Sequence, residues 1–214
     1  MWEEYKDENG KWKVRRSANY EKEVIQGLLK NSNIPKAYQN KKVNDFKADD
    51  EVGKKLKDYI IYYVQHFNEL NNDSKCMGIY IYSKATGTGK THLVCSVATV
   101  LINKQVVCVF TTLTELLSKV KATFGEGDTL ITLEKYKKAK VLIIDDIGSE
   151  NITDWSNETI FDIVDYREKN LLPTLYTSNC RASELKYDPR IISRIIGNTV
   201  ELKAPEEDMR LKGV

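Results

Sequence analysis

The residues best suited to chemistry lie in the run Lys84-Ala85-Thr86-Gly87-Thr88-Gly89-Lys90-Thr91. An apolar, strand-like stretch precedes it and a helix-like one follows, which is the context a phosphate-holding loop requires. Gly87 and Gly89 permit backbone shapes that turn successive N–H groups toward an anion. The start of the next helix adds its partial positive charge. Lys90 would then reach the outer phosphates of a triphosphate, and the Thr91 hydroxyl would bind Mg²⁺. Such loops usually open on glycine; Lys84 stands there instead, which demands a different backbone shape at the start but leaves the cradle intact. An ordinary glycine turn would explain neither the Gly-Lys-Thr ending nor the strand before it.

A second acidic signal follows at Val141-Leu142-Ile143-Ile144-Asp145-Asp146. A buried strand ending in two acids puts carboxylates at the edge of a sheet where ligands of α/β proteins sit. Asp145 would hold Mg²⁺, directly or through water, and Asp146 would orient an attacking water. Asn179, at the tip of the strand-like Leu175-Tyr176-Thr177-Ser178, offers an amide to the water or the outermost phosphate; it is equally a good turn residue. Arg190 and Arg194 are four apart and share one face of a short helix. Either could reach into a neighbouring subunit's nucleotide as an arginine finger, or both could be solvated surface charge.

These groups must be positioned by alternating elements. Strands are expected at Met77 to Tyr82, Val106 to Phe110, Val141 to Ile144, Thr174 to Thr177 and Thr199 to Leu202. Helices are expected at Thr91 to Ile102, Leu113 to Phe124, Asn157 to Lys169 and Pro189 to Ile196. Buried parallel strands with crossover helices on both faces solve such a pattern. Further back, Asp50 to Leu70 reads as a helix whose Leu56, Tyr59, Ile60, Tyr63 and Phe67 form a buried stripe. Residues 1–50 read as a polar, lysine-rich leader and possible partner-docking segment, with one short helix from Tyr20 to Lys30 and a break before Pro35. Residues 51–214 are expected to form the catalytic domain.

Composition narrows the classes. The chain has 214 residues, 41% hydrophobic and 30% charged, which suits one α/β domain with an appendage and argues against general disorder. A net charge of +2 leaves any nucleic-acid binding to local patches. The four cysteines form no C-x-x-C pair, so a zinc ribbon has no support; Cys95 and Cys108 read as core. Scattered thiols, a charged N-terminus and the lack of a ~20-residue apolar span lead to the expectation of a cytoplasmic protein with no membrane partner.

Together these residues resemble the AAA+ helicase-loader ATPases of the DnaC/DnaI type and the related IstB-like ATP-binding proteins, as a phage or mobile-element version would. The marks are Ile34-Pro35-Lys36-Ala37-Tyr38, Asn44-Asp45-Phe46, the run from Gly87 through His92 to Leu93, Ile144-Asp145-Asp146-Ile147-Gly148-Ser149-Glu150, Trp155, Thr177-Ser178-Asn179 and Ser193-Arg194-Ile195. The resemblance implies a P-loop NTPase core, a parallel sheet of five strands in the order 5-1-4-3-2, and no separate C-terminal lid domain. It implies nucleotide contacts from Lys84 through His92, with ATP or ADP and Mg²⁺ held between subunits of an ATP-bridged oligomer. It also implies Asn179 as the sensing amide, Arg194 as the finger, Arg210 near the phosphates, and Ile34 to Tyr38 near the base.

Its implied partners are a replicative DNA helicase and single-stranded DNA. The matching DNA region is Leu113 to Lys140, where Lys119, Lys121, Lys135, Lys137, Lys138, Lys140 and Phe124 form either a phosphate-contacting, base-stacking face or a solvated helix face over core. An IstB-like transposition helper, a nucleotide-gated binding module with little turnover, and a small-molecule P-loop kinase are the alternatives. The kinase would need a substrate lid and acceptor site, and neither is evident.

Overall fold

The computed structural model describes residues 2–16, 18–72, 74–124 and 128–209. It opens on an antiparallel hairpin, β1 (Trp2–Lys6) and β2 (Trp12–Arg16), where only a polar leader was expected. Its turn is built by Asp7, whose carboxylate accepts from the N–H groups of Asn9 and Lys11, and by Gly10 at φ +75°. Next comes α1 (Ala18–Asn31), enclosing the predicted helix. The stripe from Asp50 to Leu70 forms α2 (Glu51–Gln65), capped by Asp50 on Gly53 N–H at 2.6 Å, and the single turn α3 (Phe67–Leu70). The leader also supplies core: Ile34, Val43 and Phe46 are buried with residues of α2.

The five expected strands all form: β3 (Gly78–Tyr82), β4 (Cys108–Thr112), β5 (Val141–Ile147), β6 (Thr174–Ser178) and β7 (Thr199–Lys203). They pair in parallel in the order β4-β5-β6-β3-β7. Numbered without the hairpin, that is the order 5-1-4-3-2.

Helices cover both faces, and alternation along each strand divides the core. Ile79, Ile81, Val141 and Ile143 pack on one face with α2 and α4 (Lys90–Asn103). Tyr80, Leu142 and Ile144 pack on the other with α5 (Leu113–Ala122), α6 (Thr129–Lys138), α7 (Asp154–Lys169) and α8 (Pro189–Gly197). A strand covered on both faces reads as a continuous apolar run, which is why these strands were visible in the sequence, although β4 lies two residues later than expected and β5 runs three residues further, to Ile147.

The caps fix where the helices bearing chemistry begin. Thr153 and Ser156 form a reciprocal capping box at α7. Asp188 caps α8, with Pro189 in its first turn where a missing N–H costs nothing. The hairpin and α6 escaped the sequence reading. The latter carries Leu130 and Ile131 largely exposed and buries only Tyr136, so no apolar stripe marks it.

Candidate nucleotide-binding site

The glycine loop leaves β3 and enters α4. Gly87 and Gly89 both take left-handed backbone angles, φ +68° and +85°, conformations that favour glycine. At Gly89 space demands glycine as well, since a Cβ there would stand 2.7 Å from the buried Phe46 ring, whereas one at Gly87 would meet only the movable end of the Asp208 side chain. Gly89 is the N-cap of α4 and no side chain caps that end, so the first-turn N–H groups remain as anion donors. Lys90 folds back along the loop, its Nζ donating to Ala85 O at 2.9 Å and Ser83 O at 3.3 Å. Burial holds its ammonium below the ordinary lysine range, while Asp146 and Asp145 pull it back up.

Across from the loop, β5 delivers both acids. The Thr91 hydroxyl donates to Asp145 Oδ1 at 2.9 Å and lies 3.1 Å from Oδ2. Thr177, from β6, donates to Oδ1 at 2.6 Å. Burial raises the Asp145 carboxyl above its ordinary range, and the Thr177 and Thr91 hydroxyls oppose that. The β5–β6 register slips between Ile144 and Ile147, and within that slip Asp146 is exposed with φ +57°. Its N–H donates to Thr177 Oγ1 at 2.9 Å, and Asn179 Nδ2 donates to its carboxylate at 3.2 Å.

Between these walls lies a cleft of about 620 Å³, within the size range of small-molecule sites. Thr86 through His92, Asp145, Asp146, Thr177 and Asn179 line it; Lys84 and Ala85 do not, although the Ala85 carbonyl holds Lys90. The Thr91 hydroxyl and Asp145 carboxylate are adjacent hard oxygens of the kind Mg²⁺ selects, so the donor set fits that ion.

The other predicted residues fall as follows. His92 lines the cleft, its Nε2 2.8 Å from the Lys42 carbonyl. Tyr38, Lys41 and Phe46 also line the cleft, whereas Ile34 is buried in the core. Sequence reasoning assigned Thr177 no task, yet it bridges the two acids; its place just before Asn179 was the available signal. Arg190 and Arg194 do not line their own chain's cleft. Arg194 is forked onto Asp165 at 2.7 and 3.1 Å, reaches Glu168 at 3.1 Å and stacks on Phe161. Arg190 forks onto Asp188 and also stacks on Phe161.

Of the lysines, Lys137 pairs with Asp162, Lys138 with Glu134 and Lys119 with Glu115. Phe124 is half exposed and meets Trp155 edge-on, with ring centroids 5.5 Å apart. Arg210 lies outside the described residues. Just before it, Met209 N–H donates to Gly87 O at 3.0 Å, so the end of the described chain crosses the loop.

A five-stranded parallel sheet, a glycine loop between β3 and α4, and a magnesium-competent acid at the end of β5 define a P-loop nucleotide-binding protein with an AAA+ core. Within that class the chain belongs to the family described as IstB-like ATP binding protein, whose pattern matches residues 76–187, just over half of its length. The "Replicative helicase loader DnaI" of Bacillus subtilis (strain 168) is 31% identical over 135 residues, 63% of this chain and 42% of that protein. The match thus covers less than half the length of that relative. The "Replicative helicase loader DnaC" of Buchnera aphidicola subsp. Baizongia pistaciae is 28% identical over 195 residues, 88% of this chain and 76% of that protein. Among solved structures, the "Crystal structure of the DnaC helicase loader" superposes with a TM-score of 0.69 at 25% identity, covering 80% of this chain and all of that one. No helix among the described residues is long and apolar enough to cross a membrane.

Proposed function

We propose that this chain is an ATP-dependent helicase loader that hydrolyses ATP to ADP and phosphate, binds single-stranded DNA and delivers a replicative DNA helicase, acting in the cytoplasm. The observation that carries the reading is the contact between the Thr91 hydroxyl and the Asp145 carboxylate, which joins the phosphate loop to the acid strand as a magnesium–nucleotide site requires. The names of the relatives support the helicase partner.

In this reading the N–H groups of 87–91 and Lys90 bind the phosphates, and Lys84 to His92 make up the nucleotide-contacting run. Thr91 and Asp145 would hold Mg²⁺, which when bound neutralises phosphate charge. Thr177 fixes the Asp145 carboxylate. Asp146 orients the attacking water, and Asn179 aligns the Asp146 carboxylate. Arg194 serves a neighbouring subunit's site in an ATP-bridged assembly, which agrees with its place outside its own cleft.

Residues 51–214 are assigned to the ATPase domain and residues 1–50 to partner docking, with the stretch from Ile34 to Phe46 also packing into the ATPase core. The exposed Trp2, Trp12 and Val14 of the hairpin support the docking role. Single-stranded DNA is assigned to Leu113 to Lys140, where half-exposed Phe124, just after α5, is available to stack on a base.

The experiment is an ATP-dependent pull-down with the host's replicative helicase, with and without single-stranded DNA. Retention of helicase only with ATP supports the loader. The match to IstB-like proteins keeps a transposition helper as the second reading, and capture of a transposase in place of the helicase would select it.

A further inference from the structure

Immediately after the acids, the turn 146–150 is locked to the segment that launches α8. Gly148, at φ +92°, donates its N–H to Tyr187 Oη at 2.9 Å and to Glu150 Oε2 at 3.2 Å. The Tyr187 hydroxyl donates in turn to Glu150 Oε1. A Cβ at Gly148 would stand 2.7 Å from Leu185, so the turn and the 185–188 segment are in close contact. Ser178 ties the same turn to β6 by donating to Ile147 O at 2.7 Å, and Ser149 Oγ closes it on Asp146 O at 2.9 Å.

Tyr187 is buried, 6% exposed, and the next residue, Asp188, caps the helix that carries Arg194. Downstream, α7 begins four residues after Glu150, and its Asp165 and Glu168 grip Arg194. The backbone of Asp146 and the base of the arginine helix are therefore two ends of one hydrogen-bonded unit. A shift of the Asp146 turn cannot leave α8 where it was without stranding a buried hydroxyl and a carboxylate.

We propose that Tyr187 and Glu150 are positioning residues that couple the acid turn of one subunit's site to the placement of the arginine helix it offers to its neighbour. The inference rests on the ATPase reading and on Arg194 acting in trans. It also gives a physical reason for the Gly148-Ser149-Glu150 sequence after the acids: the glycine admits Leu185, and the glutamate accepts from Tyr187. Tyr187→Phe removes the hydroxyl and keeps the ring, while Glu150→Gln keeps an acceptor for it.

The test uses mixed assemblies. Asp146→Asn protein supplies arginines without hydrolysing, and Arg194→Ala protein hydrolyses only with a neighbour's arginine. Mixing the two should restore turnover. Adding Tyr187→Phe to the arginine donor should cut that restored rate by about ten-fold or more. Adding it to the Arg194→Ala partner, the acceptor, should cost clearly less, because Ser178 and Ser149 still hold that partner's Asp146 turn. Glu150→Gln in the donor should retain most of it, and nucleotide affinity of the dilute Tyr187→Phe protein should match that of the parent. Restored turnover that ignores Tyr187→Phe in the donor, or falls equally with it in either partner, overturns the coupling. No restoration by the parent mixture overturns the trans-acting arginine itself, and the coupling with it.

Discussion

Replacing Arg167 by methionine should destabilise the chain by about 3 kcal/mol, because the cost of stranded acceptors exceeds the gain from removing a buried charge. Arg167 is 1% exposed and donates five hydrogen bonds. Three go to the carbonyls of Tyr136, Lys137 and Ala139 at the end of α6, at 3.0, 3.1 and 2.7 Å. The others go to Pro173 O at 2.7 Å and Thr174 Oγ1 at 2.8 Å. Burial pulls the guanidinium down to about 10, so it is still charged at neutral pH and stabilised by carbonyl dipoles.

Methionine fills similar space and donates nothing. Pro173 O keeps a bond from Leu142 N–H, but the α6 carbonyls lose a donor, at about 1–3 kcal/mol for each that water cannot reach. Freed side-chain entropy and the avoided desolvation of a cation offset part of the sum. In a urea melt followed by far-UV circular dichroism, a 3 kcal/mol loss moves the midpoint down by about 1–2 M at ordinary slopes. Arg167→Lys, with one ammonium in place of a planar fork, should recover only part of it. A methionine variant whose midpoint stays within about 0.3 M of the parent would refute the reasoning.

Three further outcomes are expected. Burial holds the Asp145 carboxyl above its ordinary range, so the folded chain binds the extra proton, and ligand-free stability falls as pH rises from the ordinary carboxylate range through that raised value; melting curves should show Asp145→Asn flattening this fall, and an unchanged slope would count against the assignment. Arg194→Ala should leave nucleotide binding intact but lower turnover of the concentrated, assembled protein by about 100-fold or more; an equal loss in dilute monomer would contradict a trans role. Thr177→Val strips a donor from Asp145 and an acceptor from Asp146 N–H, and should weaken Mg²⁺-dependent binding by about ten-fold at constant fold, as read by titrating the metal; unchanged Mg²⁺ dependence would show that Thr177 is only core.

The site was more legible in the sequence than its surroundings. Gly87, Gly89, Lys90 and Thr91, with Asp145 and Asp146 at the end of an apolar run, are short-range patterns whose chemistry dictates residue type and order. The parallel strands were legible for a related reason, since burial on both faces leaves little room for polar residues. Long-range pairings were not. Phe46 packs on Gly89 from more than forty positions away, and nothing near Arg167 distinguishes it from a surface arginine on a helix. The hairpin hid behind its charged composition, although Asn9-Gly10 between alternating strands is a strong turn signal. Helix α6 was missed because its exposed Leu130 and Ile131 break the apolar stripe by which an amphipathic helix is recognised.

The most direct measurement of the central claim is equilibrium titration of a fluorescent ATP analogue, with and without Mg²⁺, against the parent chain and Lys90→Ala. Saturable, Mg²⁺-strengthened binding by the parent and a loss of about 100-fold or more in the variant are the predicted results. Equal affinity in the two proteins, or binding indifferent to Mg²⁺, would contradict a triphosphate site between the glycine loop and the acids of β5.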